Sequence, residues 1–187
     1  MAYEYLVSSL PMLFLGDPPP FPMAEFRGLC LSLLSPRDED VLERTLGGRV
    51  ADTDPAPALD WASKETQIRN ACASIRAVAW QTEAPPHLRA HTGFAVWLRD
   101  AVADAFSRPA PLERERALAR IRWSVLDDLA FSDPMGLAGI LAYGLKLQMV
   151  ERWAGRSEEK GRAMLDQLLN QALETATGAA REREVSE

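Results

Sequence analysis

Apolar residues recur along this chain mostly at three- and four-residue spacing, which predicts helices, and prolines and glycines mark where the helices end. Pro22 suits the first turn of a helix whose apolar face is Phe26, Leu29, Cys30, Leu33 and Leu34. In Ser35-Pro36-Arg37-Asp38 the serine caps a second helix, the proline fits its first position, and Asp38 favours the positive end of its dipole. Gly47-Gly48 ends that helix. Residues 49–58, with Pro55, Pro57, Asp52 and Asp54, read as a loop. A long helix follows over about residues 59–82 and is stopped by Pro85-Pro86.

The spacing predicts another helix over residues 92–106, with Phe94, Trp97, Leu98, Ala101 and Ala105 on one side. Beyond Pro109 and Pro111, Leu118, Ile121, Val125 and Leu129 form a stripe on a charged helix. Ser132-Asp133-Pro134 reads as the start of the next helix, which runs to Trp153. Its broad apolar arc, Leu137 to Val150, places it at the centre of the fold. A last helix carries Leu165, Leu168, Leu169, Ala172 and Leu173, and residues 179–187 read as a disordered charged tail. The N-terminal stretch is ambiguous. Tyr3, Tyr5 and Val7 alternate, so a strand, an extended segment and a first helix turn are all allowed before Gly16-Asp17-Pro18-Pro19-Pro20 breaks the chain.

The fold class is therefore all-α, a compact multi-helix fold of about seven helices in a single domain over residues 1–178. Two lobes, 1–84 and 85–178, are the alternative division. Within the long central helix the apolar positions Trp61, Ile68, Cys72, Ile75 and Ala79 form a core-facing stripe, and Glu65 lies on it, one turn before Arg69. A helix does not aim a carboxylate at its own core unless a cation or amide waits there. Glu65, Arg69 and Asn70 thus read either as a surface ion pair with a neighbouring amide or as part of a buried interhelical network.

Composition narrows the function classes. Of 187 residues, 47% are apolar and 26% charged, and the net charge of −6 disfavours a nucleic-acid binder. Cys30 and Cys72 have no disulfide or metal spacing and read as buried thiols in a reducing cytoplasm. No Lys or Arg precedes Arg27, so the N-terminus does not read as a signal peptide, and no apolar run reaches membrane-spanning length.

Each candidate for chemistry has a plainer explanation. Glu83, His87 and His91 are spaced four apart, but Pro85-Pro86 interrupts any helix that would align them on a metal. Asp127, Asp128 and Asp133 bracket a predicted helix end, which accounts for them without acid–base catalysis. Arg114, Arg116, Arg120 and Arg122 alternate with Glu113 and Glu115 and read as a solvated face laced with ion pairs. The five tryptophans fall one to each major helix and read as core, with one or two as partner anchors.

Two segments carry a family resemblance. Met1-Ala2-Tyr3-Glu4-Tyr5-Leu6-Val7-Ser8-Ser9-Leu10-Pro11 followed by Gly16-Asp17-Pro18-Pro19-Pro20 resembles the start of a small uncharacterised bacterial family whose genes sit among those for V/A-type ATPase subunits. Leu141-Ala142-Tyr143-Gly144-Leu145-Lys146-Leu147-Gln148-Met149-Val150-Glu151-Arg152-Trp153, followed by Glu159-Lys160-Gly161, resembles its later part. The same helices are similar to the C/d family of V-type ATPases, the central-stalk socket. That socket is an all-helical funnel of repeated lobes between the central stalk and the membrane rotor ring. Its helices carry a Glu…Arg-Asn…Leu-Arg pattern, met here by Glu65, Arg69, Asn70 and Arg76. The chain departs from it in being much shorter than the full three lobes, and in having Gln148 and Trp153 where a second copy would want Glu and Asn.

The resemblance implies a non-catalytic subunit or accessory factor of a bacterial V/A-type ATPase. Its partners would be stalk subunits and the rotor ring, with no cofactor, no metal, no nucleic acid and no direct membrane insertion. It would be cytoplasmic, or peripheral at the cytoplasmic face through a protein complex. Glu65, Arg69, Asn70 and Arg76 would form a structural polar network, and Tyr3, Tyr5, Arg114, Arg116, Arg120 and Arg122 a partner surface. A helical scaffold or regulatory protein-binding module unrelated to ATPases fits the residues equally well. A metal-dependent hydrolase would require Glu83, His87 and His91 to converge on one ion.

Overall fold

The ambiguous first segment folds as a helix, α1 (Ala2–Ser9). The computed structural model describes residues 2–156, 161–169 and 171, and over these the chain is all-helical with no β-strand. After α1 come α2 (Met23–Leu33), α3 (Pro36–Leu46), α4 (Ala56–Ala79), a 3-10 turn at Pro85–His87, α5 (Val96–Ser107), α6 (Pro111–Ser132) and α7 (Leu137–Ala154). Residues 161–169 are helical as well, with Leu165, Leu168 and Leu169 exposed. Ala172, Leu173 and the tail at 179–187 lie outside the described residues.

The start of α3 follows its sequence signal. Ser35 is the N-cap, and its hydroxyl oxygen accepts the Asp38 amide at 3.2 Å. Gly47 caps the far end and Gly48 turns the chain at a φ of +67°, a conformation that glycine adopts without a Cβ penalty. Several boundaries differ from expectation. Pro55 takes the N-cap of α4 and Pro57 its first turn, where a missing N–H costs nothing, so the helix opens inside the expected loop. Before α7, the Ser132 hydroxyl turns back to donate to the Leu129 carbonyl at 2.7 Å, and Ser132 ends α6 instead of capping its successor. The N-cap of α7 is Gly136.

As the width of its apolar arc requires, α7 is the central element. It packs on α1, α2, α3, α4 and α6, so helices of the first half of the chain rest on one from the second. Phe26 of α2 and Tyr143 of α7 meet with ring centroids 5.4 Å apart, and the core is one continuous cluster. On the other side of the molecule α5 packs on α4 and α6. The buried stripe of α6 is the expected one, Leu118, Ile121, Val125 and Leu129. On α5 it is Leu98, Val102 and Ala105, while Trp97 in the first turn is exposed, as is Phe94, which precedes a helix that begins four residues later than its sequence pattern indicates.

Both cysteines are buried free thiols. Burial pushes the Cys30 thiol up to about 12 and also raises Cys72. Native protein at pH about 8 is therefore expected to resist iodoacetamide, while denatured protein loses both thiols within the same interval. Mass spectrometry of the two samples checks this, and alkylation of Cys30 in the native state would contradict it. Because the Cys30 pKa is raised on folding, its contribution to stability is full below its unfolded value and lost as pH rises toward about 12.

Candidate functional site

The carboxylate on the core stripe of α4 does meet a cation, but one supplied from 57 residues further along the chain. Arg122 of α6 donates from Nε to Glu65 Oε2 at 2.8 Å and from Nη2 to Oε1 at 3.1 Å. Arg69 adds a third bond, Nε to Oε1 at 2.7 Å. The side chains of Arg122 and Glu65 are 19% and 13% exposed, whereas Arg69 is 65% exposed and belongs to the rim. Burial pulls the Arg122 pKa down, yet its bonds to Glu65 outweigh this and leave it raised.

One turn of α4 away, two amide side chains hold the segment that leads into α5. Gln67, which is buried, donates from Nε2 to the Gly93 carbonyl at 3.0 Å and accepts the Ala95 amide at 2.9 Å. Asn70 donates to the Arg89 carbonyl at 2.7 Å and accepts the Arg89 amide at 3.0 Å. Each amide group thus replaces the backbone partner that an irregular segment lacks. Gln67→Ala is expected to cost about 1–2 kcal/mol in urea denaturation and to expose residues 84–95 to protease first. Cleavage beginning elsewhere would contradict that assignment.

Two clefts flank this framework. The wide cleft, about 750 Å³, lies among α4, α6, α7 and the end of α3. Arg69, Arg89, Arg122 and Arg152 line it against one carboxylate, Glu65, with Asn70 and His87 at its edge. A cleft of positive balance in a chain of net charge −6 selects acidic occupants. The second cleft, about 710 Å³, lies where the N-terminal segment approaches α6 and the end of α7. Its walls are Leu15, Leu112, Arg116, Arg120, Trp153 and Arg156. Between α4 and α5 a smaller apolar groove is lined by half-buried Ile75 and by exposed Val78 and Phe94.

The residues expected to form one polar network serve three purposes. Glu65 and Arg69 belong with Arg122, Asn70 holds the loop, and the Arg76 guanidinium sits over the Phe106 ring at 5.7 Å, tying α4 to α5. The expected partner surface also divides. The Tyr3 hydroxyl donates to Asp38 and braces the start of α3, while Tyr5 is exposed. Arg114 turns back to donate to the Arg108 carbonyl at 2.5 Å, securing the α5–α6 turn. Arg122 points inward to Glu65, and Arg116 and Arg120 line the second cleft. The ion pairs expected on this face with Glu113 and Glu115 do not form among the described residues.

Of the tryptophans only Trp61 is buried; Trp80 and Trp97 are exposed, at the end of α4 and the start of α5, where no described helix covers them. His87 faces the wide cleft and His91 lies beside Gln67 and Gly93, so the two imidazoles have different surroundings. Asp127 pairs with Lys146 at 2.5 Å, and Asp133 follows the last residue of α6. Arg122 as the partner of Glu65 could have been sought in sequence as another charge bordering an apolar stripe, between Ile121 and Val125. Gln67 carried no such signal, since a glutamine in a helix is ordinarily solvated.

No curated protein and no solved structure matches the chain significantly. A family model described as "Protein of unknown function (DUF2764)" matches residues 96–175, a stretch that holds α5, α6 and α7 and with them Arg116, Arg120, Arg122 and Trp153.

Proposed function

We propose that the protein is a non-catalytic accessory subunit of a bacterial V/A-type ATPase, a helical body that couples the central stalk to the membrane rotor ring. The observation that carries the binding role is the wide cleft, in which four arginines surround a single carboxylate between long helices. An acidic helix or loop of a stalk protein would be steered to it and would bond the rim arginines Arg89 and Arg152, while Glu65 and Arg122 keep α4 and α6 in register below. The ATPase itself enters through the resemblance of the N-terminal segment and of Leu141–Trp153. No described helix is long and apolar enough to cross a membrane, so attachment to a membrane complex through a protein partner fits this reading.

The test is purification of the tagged full-length chain from gently solubilised membranes of its host. Recovery of ATPase stalk or rotor subunits in fixed ratio is expected, falling by about tenfold or more in an Arg89→Glu, Arg152→Glu variant that folds normally. Recovery without those subunits, with an ATPase that assembles normally in the absence of this protein, would overturn the reading. A helical binding module unrelated to ATPases would then remain.

A further inference from the structure

We propose that the second cleft is a binding site for a small phosphate-bearing anion, held by Arg116, Arg120 and Arg156. Arg116 and Arg120 stand one turn apart on the same face of α6, a like-charge arrangement that disfavours the helix unless an anion answers it. No carboxylate among the described residues does so. Arg156, just past the end of α7, brings a third guanidinium, placed over the Trp153 ring with its central carbon 4.6 Å from the centroid. A guanidinium held over a ring face by its central carbon keeps five N–H donors, none of which the ring face fully satisfies.

Three guanidiniums that no described carboxylate answers suit a phosphate dianion better than a single carboxylate, because each planar fork can hold two phosphate oxygens. The indole N–H of Trp153 is a further unmet donor: it is buried and has no acceptor among the described residues. A ligand oxygen that reached that nitrogen would satisfy it. The cleft, about 710 Å³, is much larger than a phosphate group alone, and Leu15 and Leu112 give it apolar walls. The ligand is therefore a phosphomonoester with an organic body, its phosphate on the arginines and its body against the leucines.

The full-length protein labelled with ¹⁵N provides the readout, since Trp153→Phe identifies the Trp153 indole resonance among those of the five tryptophans. Titration with inorganic phosphate and with glycerol 3-phosphate is expected to shift that resonance saturably, the monoester binding more tightly. Sodium chloride at matched ionic strength should not. Arg116→Gln and Arg120→Gln, both at exposed positions, should each weaken binding about tenfold without moving the other indole resonances. Sedimentation with phosphatidate-containing vesicles, set against phosphatidylcholine alone, separates a lipid headgroup from a free ligand: arginine-dependent sedimentation assigns the phosphate to a lipid. No shift with either soluble phosphate together with no such sedimentation, equal shifts with chloride, or shifts that survive both arginine substitutions would overturn the proposal.

Discussion

Replacing Arg122 with alanine is expected to destabilise the protein by about 2–3 kcal/mol, read as a lower urea midpoint at unchanged m-value. The loss comes less from the contact removed than from the charge left behind. Glu65 would keep only Arg69, an exposed rim side chain, while its own side chain stays 13% exposed between α4 and α6. A fully buried orphaned charge would cost more, and the partial access of this pair to water sets the lower figure. Glu65→Gln with Arg122→Met should recover most of the loss, because both charges then leave together. A double variant no more stable than Arg122→Ala would show that the pair supplies stability in its own right.

That pair also marks how far the sequence can be read. A carboxylate on the apolar stripe of α4 announces that a cation or amide has to face it, since burying it alone would be prohibitive. Which residue faces it is a question of tertiary placement, and local spacing points instead to Arg69, on the same helix. In sequence, Arg122 forms one patch with its neighbours Arg116 and Arg120. On a helix, however, positions 120 and 122 are about 200° apart, so they open onto different clefts.

Helix existence is legible because the apolar stripes of α6 and α7 run through several turns and agree with proline and glycine punctuation. Boundaries are less so. Pro55 and Pro57 carry the same letters whether they break a chain or open a helix, and only the docking of Trp61 and Ala58 into the core decides for α4. In the first segment, Leu6 packs fully into the core from a helix too short to announce itself by period. Gln67 and Asn70 are opaque for a related reason: their partners are backbone groups of residues 89–95, which have no side-chain signature.

Phe26→Ala should be the most damaging single change, at about 3–5 kcal/mol, a large share of the stability of an ordinary domain. The Phe26 ring is fully buried and fills a notch that Gly144 opens in α7, against Tyr143 and Leu46. A Cβ on Gly144 would lie 2.9 Å from a Phe26 ring carbon and 3.4 Å from Leu46, so Gly144→Ala alone forces the ring to move. The two positions are therefore coupled through one volume. With the ring gone, the clash that opposes Gly144→Ala disappears, and the helix propensity of alanine adds about 1 kcal/mol to a small gain from filling space. Gly144→Ala should thus destabilise the native protein but stabilise the Phe26→Ala variant. Urea denaturation of the four proteins reads this reversal of sign directly. Equal effects in both backgrounds would mean that α2 does not seat its ring in the notch and that α7 is gripped in another way.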